Sequence, residues 1–239
     1  MKGDEIDDML ARVAERQPGP EECGAAIARA EAALLGDLRP VRRLAPPIAF
    51  IVTFVGVFTV VAAGFAAALG LAGIHALSAI ERATIFPALV AMAAFAAVGL
   101  TREMRPAAGR HLGALALTFS LAGFPLLSLI NFHNFNVEHF LREGWPCLKA
   151  GVMVAIPAGL IATLVLKRGF VLNWKMAGLA AGTFAGLTGL AMLELHCPNL
   201  KVMHIVVWHV AVVAASALLG LAAGWIVEAR RHWSIGREP

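Results

Sequence analysis

Six long apolar segments separated by short polar ones dominate the pattern of this chain. They occupy residues 48–71, 83–100, 112–130, 150–166, 176–193 and 203–227. A helix needs about 20 predominantly apolar residues to cross the hydrocarbon core of a bilayer. The pattern therefore predicts an all-α, polytopic membrane protein with six transmembrane helices.

The first 47 residues follow another pattern, which predicts two short amphipathic helices. The apolar stripe of the first consists of Ile6, Met9, Leu10 and Val13. The second is predicted from Pro20 to Gly36, with a stripe of Ile27, Leu34 and Leu35. Helices this short are marginal alone. Residues 1–36 carry eight acidic and four basic residues, a poor match for an anionic lipid surface, so we expect the stripes to bind a groove on a partner protein. A tail without a partner is the alternative.

These patterns divide the chain into three parts. Residues 1–47 form a partner-binding segment with a linker, residues 48–227 a six-helix transmembrane domain, and residues 228–239 a short tail. The linker at residues 37–47 contains three prolines and three arginines, which predicts a stiff connection held at the lipid headgroups.

Composition supports a membrane protein, because 59% of residues are hydrophobic and only 15% are charged, against about 25% charged in soluble domains. The net charge of +4 comes from the excess of Arg and Lys beside the span ends. It therefore needs no nucleic-acid partner to explain it, and we predict no direct contact with nucleic acid.

Twelve Arg and Lys residues flank one set of span ends and four flank the other. The first set is Arg39, Arg42, Arg43, Arg102, Arg105, Arg110, Lys167, Arg168, Lys175, Arg230, Arg231 and Arg237; the second is Arg82, Arg142, Lys149 and Lys201. By the positive-inside rule, both termini are predicted to be cytoplasmic in a bacterial inner membrane.

Small residues at a spacing of four mark the last two spans. They are Gly178, Gly182 and Gly186 in the fifth span and Ser216, Gly220 and Gly224 in the sixth. Such series let helix backbones approach closely in lipid, so we expect these two spans to pack together. No Asp or Glu lies near the centre of a span, which disfavours an ion-coupled transporter.

The predicted topology gathers cysteine and histidine at the outer span ends. The residues are Cys147, Cys197, His75, His133, His139, His196, His204 and His209. Cys147 precedes the fourth span and Cys197 follows the fifth, so the two should be neighbours. Helix axes lie about 8–10 Å apart and a disulfide needs Cα atoms about 4.4–6.8 Å apart, so we expect turns at Pro146 and Pro198 to close the gap.

Three kinds of chemistry are open to this group: a redox-active cysteine pair in an oxidising compartment, a plain structural disulfide, or a site for zinc, copper or another soft metal. His196 stands beside Cys197, and His133 and His139 lie in a loop that could close over it. His204 and His209 are five residues apart, about 140° around an ideal helix, and are expected on different faces. No nucleotide-binding loop or HExxH motif is present, and we predict no enzyme.

Several of these segments resemble the NrsF-type membrane anti-sigma factors, negative regulators of extracytoplasmic-function sigma factors. The matching motifs are DLRPVRRLAPP at residues 37–47, Pro-Cys-Leu at 146–148, Ala-Ile-Pro at 155–157, Lys-Arg-Gly at 167–169, and Leu-His-Cys-Pro at 195–198 leading to Trp208. The resemblance spans roughly residues 35–227. This chain differs in its longer N-terminus and in His204 and His209 around the last tryptophan.

The resemblance implies a six-helix protein whose cytoplasmic N-terminal part holds a sigma factor inactive. It also implies that two outward cysteines, here Cys147 and Cys197, are needed for release. Our leading hypothesis is an anti-sigma factor that senses oxidant or heavy metal through these cysteines. The alternative is a membrane redox protein that holds a metal or haem in the Cys and His group.

Overall fold

The computed structural model describes residues 20–37, 44–105 and 112–235, and the chain divides into two units, residues 1–43 and 44–239. In the first unit, helix α1 (Pro20–Asp37) confirms the second predicted amphipathic helix. Ile27 and Leu35 are 62% and 61% exposed on α1. The predicted stripe of Ile6, Met9, Leu10 and Val13 lies outside the described residues, and so does the side chain of Leu34.

The second unit is a bundle of helices. Its elements are α2 (Pro47–Leu69), α3 (Ala72–Ala76), α4 (Ala79–Glu103), α5 (Leu112–Asn131), α6 (Phe140–Leu166), α7 (Trp174–His196), α8 (Val202–His204), the π-helical turn π1 (Ile205–His209) and α9 (Val210–Ile235). The last three form one continuous helix. Within the described residues, six helices are long and apolar enough to cross a membrane, which confirms the predicted all-α membrane fold.

The helix ends follow from local chemistry. Helix α2 starts with Pro47, a residue that suits a first helical position because the first turn leaves its N–H groups unpaired. Ser78 and Glu81 form a capping box at the start of α4. Asn173 caps α7 by accepting a hydrogen bond from the Met176 N–H at 3.1 Å. These caps fix where the polar connections between spans end.

Helix α7 lies at the centre of the bundle. It buries 83% of its most apolar 18-residue stretch, whereas the other five spans bury 22% to 44%. The predicted small-residue contact with α9 is confirmed, because a Cβ atom built at Gly182 would overlap the Ser216 carbonyl, and one built at Gly178 would overlap that of Gly220. The two backbones therefore touch along most of the length of α7.

Helix α6 begins ten residues earlier than the predicted start of the fourth span at residue 150. Pro146 and Cys147 therefore lie inside a helix, and the expectation that a turn at Pro146 brings the cysteines together was wrong. Hydropathy marks only the part of a helix that lipid can solvate. The polar residues Arg142, Glu143 and Lys149 hide the first turns of α6 from such a reading.

Candidate functional site

Four sulfur- and nitrogen-bearing side chains converge at the bundle end where α6 begins and α7 ends. They are Cys147 of α6, Cys197 directly after α7, His204 of α8 and His209 of π1, and one potential ligand atom from each lies within 4.8 Å of all the others. We call these four residues the Cys/His cluster. Cys147 is half-buried, whereas Cys197, His204 and His209 are buried.

The two cysteines are free thiols whose Sγ atoms lie 3.6 Å apart. Their proximity follows from close packing of α6 on α7: a Cβ atom at Gly189 would overlap the Gly151 carbonyl, and Cys147 lies one turn from Gly151 on α6. The Cys197 N–H donates to the Leu193 carbonyl at 2.7 Å, which fixes the residue at the end of α7. The contact with the Cys147 thiol and then burial raise the pKa of the Cys197 thiol above its ordinary value.

The π-helical turn brings the two histidines together. The Val210 N–H donates to the Ile205 carbonyl, five residues back, so the turn is wider than in an α-helix. Residues five apart then share a face, and the rings of His204 and His209 meet edge to face with centroids 5.1 Å apart. The expectation that they lie on different faces assumed a regular α-helix and was wrong.

A buried carboxylate orients one of the histidines. Glu194, in the last turn of α7, is 3% exposed, and its Oε1 lies 2.6 Å from Nδ1 of His209. Because a carboxylate accepts hydrogen bonds, Nδ1 carries the proton and donates it. The other ring nitrogen, Nε2, therefore presents either a lone pair or, in the charged ring, a second N–H.

Two buried ring nitrogens of the cluster lack hydrogen-bond partners within the part of the chain that the structure describes. They are Nε2 of His209 and Nδ1 of His204. The second ring nitrogen of His204, Nε2, lies 3.6 Å from Sγ of Cys197. Buried polar atoms are nearly always paired in folded proteins, so Nε2 of His209, the nitrogen that Glu194 leaves open, marks the cluster as a place where a ligand is expected.

A shallow cleft of about 410 Å³ opens onto the cluster and is lined by Cys147, Cys197 and His204. Its rim is polar: the Glu143 carboxylate accepts from Lys201 Nζ at 3.2 Å and from Asn199 Nδ2 at 2.8 Å. The cleft gives a small ion or oxidant a path to the Cys147 thiol.

The other histidines predicted as ligands lie elsewhere. His196, although next to Cys197 in sequence, has its Nδ1 2.9 Å from the Gly70 carbonyl at the end of α2. His133 and His139 are exposed and are not among the four converging residues. The structure thus brings together four of the seven residues that the sequence nominated: Cys147, Cys197, His204 and His209.

Sequence reasoning gave no binding role to Glu194 or to the polar rim. The one available signal for Glu194 was a lone acid in the last turn of a glycine-rich span. A carboxylate buried there is no longer hydrated, so it needs a hydrogen-bond donor or a positive charge from another residue.

The chain matches a known protein family. The family model described as NrsF, negative regulator of sigma F, matches residues 34–228. No curated protein and no solved structure matches the chain.

Proposed function

This chain belongs to the NrsF family of negative regulators of sigma F, and on that premise we propose that it is an inner-membrane anti-sigma factor controlled by Cys147 and Cys197. In this proposal the N-terminal segment sequesters an extracytoplasmic-function sigma factor. Reaction of the two cysteines with oxidant or heavy metal on the opposite side of the membrane releases it. The observation that carries the switch is the pair of free thiols 3.6 Å apart between two different helices.

Exposed apolar side chains support the role of the N-terminal segment. Ile27 and Leu35 are more than half exposed on α1, although an isolated helix of this length gains most of its stability by packing its apolar face. A sigma factor groove would cover this face. The acidic charge of residues 1–36 suits a partner that carries basic nucleic-acid-binding surfaces.

The cysteine chemistry can be written as a balanced step. Hydrogen peroxide accepts two electrons from the two thiols and becomes two molecules of water, taking up the two thiol protons. A sulfur–sulfur bond of about 2.05 Å replaces the present separation. The two Sγ atoms must therefore approach by roughly 1.5 Å, through rotation of the two side chains together with movement of the ends of α6 and α7 that carry them.

A chain of contacts connects that movement to the N-terminal segment. His196, adjacent to Cys197, contacts the Gly70 carbonyl at the end of α2. Near the middle of the bundle, the Phe54 ring of α2 packs edge to face on Phe184 of α7, with centroids 5.6 Å apart. Helix α2 is the first span after the linker. A shift of α7 is therefore passed to the first span, which follows the linker and the proposed sigma-binding segment along the chain.

Charge asymmetry supports the orientation. Seven described basic residues lie at the span ends opposite the Cys/His cluster: Arg102, Arg105, Lys167, Arg168, Lys175, Arg230 and Arg231. By the positive-inside rule, those ends are expected in the cytoplasm. The N-terminal segment then faces the cytoplasmic sigma factor, while the cluster faces the oxidising compartment in which a dithiol can become a disulfide.

Convergence of the four cluster residues favours one alternative function, the handling of metal. A single ion suits ligands that surround one point, whereas the two axial ligands of a haem lie on opposite faces of a macrocycle. Metal handling without signalling predicts that deletion of residues 1–36 changes neither metal content nor transcription. The anti-sigma function predicts that the same deletion derepresses the genes of its sigma factor.

Co-purification tests the proposed function. The full-length chain, tagged at its C-terminus and extracted in mild detergent under reducing conditions, is expected to retain the sigma factor expressed with it. Replacing Ile27 and Leu35 by Glu should abolish retention, while Ala25→Glu, on another face of the same helix, should not. Retention that is unaffected by the double substitution and by deletion of residues 1–36 would contradict the proposal.

A further inference from the structure

We propose that Cys147, Cys197, His204 and His209 form a tetrahedral site for one divalent d10 cation, zinc or cadmium, and that Glu194 positions His209 for it. The inference deepens the proposed function and rests on it only for the consequence of binding, since binding itself depends on the cluster alone. It assigns the cluster a defined ligand set and a class of ion.

The spacing of the ligand atoms fits such an ion. Zn–S and Zn–N bonds of about 2.3 Å and 2.0–2.1 Å at tetrahedral angles place two sulfurs roughly 3.8 Å apart and a sulfur and a nitrogen roughly 3.6 Å apart. Sγ of Cys147 and Sγ of Cys197 lie 3.6 Å apart. Sγ of Cys197 and Nε2 of His204 also lie 3.6 Å apart. All four potential ligand atoms lie within 4.8 Å of one another, so no pair has to close by more than roughly 1.5 Å to reach tetrahedral spacings.

Charge selects a divalent ion. On binding, each thiol gives up its proton to water and becomes a thiolate ligand, so at least two protons leave for each ion bound, and a third leaves where the His209 ring is charged beforehand. Two thiolates, two neutral imidazoles and one divalent cation carry no net charge together, so the Glu194 carboxylate that accepts the His209 Nδ1–H is the one negative group left beside them. A monovalent soft ion in the same site would leave a second uncompensated negative charge among buried side chains, which is costly. Two sulfur and two nitrogen ligands in a tetrahedron are the combination typical of zinc.

The contact between Glu194 and His209 prepares one ligand. With the proton of His209 held on Nδ1 by the carboxylate at 2.6 Å, the neutral ring offers its Nε2 lone pair. Metal-bound histidines almost always donate their other N–H in this way, often to a carboxylate. Nε2 of His209 is buried and lacks a hydrogen-bond partner among the described residues, as an atom reserved for a metal would be.

Binding would join more of the bundle than a disulfide does. The ligands belong to α6, to the residue after α7, and to α8 and π1. One ion therefore ties together the ends of three membrane spans, while a disulfide joins only two. Metal binding therefore uses His204 and His209 as ligands, whereas formation of the Cys147–Cys197 disulfide leaves both histidines without a metal.

Cobalt is a suitable probe, because tetrahedral Co²⁺ with thiolate ligands has intense visible and sulfur charge-transfer absorption. The full-length chain carrying Cys23→Ser, reduced, stripped of metal and kept in detergent, is titrated with Co²⁺ and then with Zn²⁺ or Cd²⁺. We expect one Co²⁺ per chain with a tetrahedral spectrum that either d10 ion displaces. Loading of the metal-free protein with Zn²⁺, with no Co²⁺ present, should release two protons per ion from the thiols and one more where the His209 ring starts charged.

Matched variants locate the site. His204→Gln and His209→Gln should each weaken Co²⁺ binding and shift its visible bands, because water must take the lost position, whereas His196→Gln, next to Cys197 but outside the cluster, should leave both unchanged. Glu194→Gln should weaken Zn²⁺ about 10–100-fold, in the range found for partners of metal-bound histidines, while the spectrum at saturation stays tetrahedral. Helix content by circular dichroism confirms that each variant is folded.

An unchanged spectrum in the folded double variant His204→Gln/His209→Gln would overturn the site, as would a Co²⁺ complex without sulfur charge-transfer bands.

Sigma factor retention distinguishes failure of the metal site from failure of the anti-sigma function. If metal fails to bind but oxidation of the cysteines still releases the sigma factor, the proposed metal site is wrong and the proposed anti-sigma function is supported. If metal binds as described but the N-terminal segment retains no sigma factor, the reverse holds.

Discussion

His209 and Glu194 meet through Nδ1 and Oε1 at 2.6 Å, and both side chains are almost completely buried. The two residues come from π1 and α7, so this contact joins the last span to the central helix beside the Cys/His cluster. Its partners are not equivalent. A buried imidazole can remain as a neutral ring when its partner is lost, whereas a buried carboxylate without a donor is left as an unpaired charge.

Removing His209 should therefore destabilise the fold more than removing Glu194. His209→Ala leaves a buried carboxylate without its partner, which costs about 3–5 kcal/mol. Glu194→Ala leaves a ring that can be neutral, and the cost should be nearer 1–3 kcal/mol. Unfolding in mixed micelles, followed by circular dichroism on metal-free protein, measures both. Equal losses would show that the carboxylate is not held by His209 alone.

The glycine contact between α7 and α9 gives a second prediction, on a matched pair of substitutions. In Gly182→Ala the new methyl group meets the Ser216 backbone, so the helices must separate at a cost of about 1–3 kcal/mol. Gly64→Ala on α2 meets no atom within 4 Å and should stabilise by up to about 1 kcal/mol through helix propensity. Thermal denaturation in one detergent compares the two, and similar melting temperatures would contradict the close packing.

The raised pKa of Cys197 gives a third prediction. Because the thiolate is the reactive form, a raised pKa means less thiolate at neutral pH and a rate that keeps rising into the alkaline range. In reduced, metal-free protein, maleimide should modify the exposed Cys23 at pH 7 well before Cys197. The difference should shrink as the pH rises and disappear in denaturant. Equal rates for Cys23 and Cys197 in folded protein at pH 7 would contradict the environment described for Cys197.

Most of the fold could be predicted from sequence, because hydropathy reports which solvent surrounds a segment and six segments need lipid. The face formed by Gly178, Gly182 and Gly186 was equally readable, since close backbone approach requires small residues at a spacing of four. The start of α6 at Phe140 could not be predicted in the same way. Helix formation depends on backbone hydrogen bonds, which continue through polar residues such as Glu143 where hydropathy changes sign.

The site was predictable only as a list of candidate side chains. Cys147 and Cys197 follow from topology, since consecutive antiparallel spans place their ends together. The pairing of His204 with His209 depends on a π-helical turn, and an assumed period of 3.6 residues separates them instead. Glu194 meets His209 because of that same turn, so the sequence could mark Glu194 as an acid in need of a partner but could not identify the partner.

The most direct test of the central claim measures sigma factor retention against the state of Cys147 and Cys197 in the same sample. Full-length protein bound to its sigma factor is treated with hydrogen peroxide, and bound sigma factor and the Cys147–Cys197 bond are both quantified by mass spectrometry. We predict release in step with bond formation for the natural sequence and for Cys23→Ser, and continued retention for Cys147→Ser. Retention of the sigma factor after the bond has formed, or equal release from Cys147→Ser, would contradict the account.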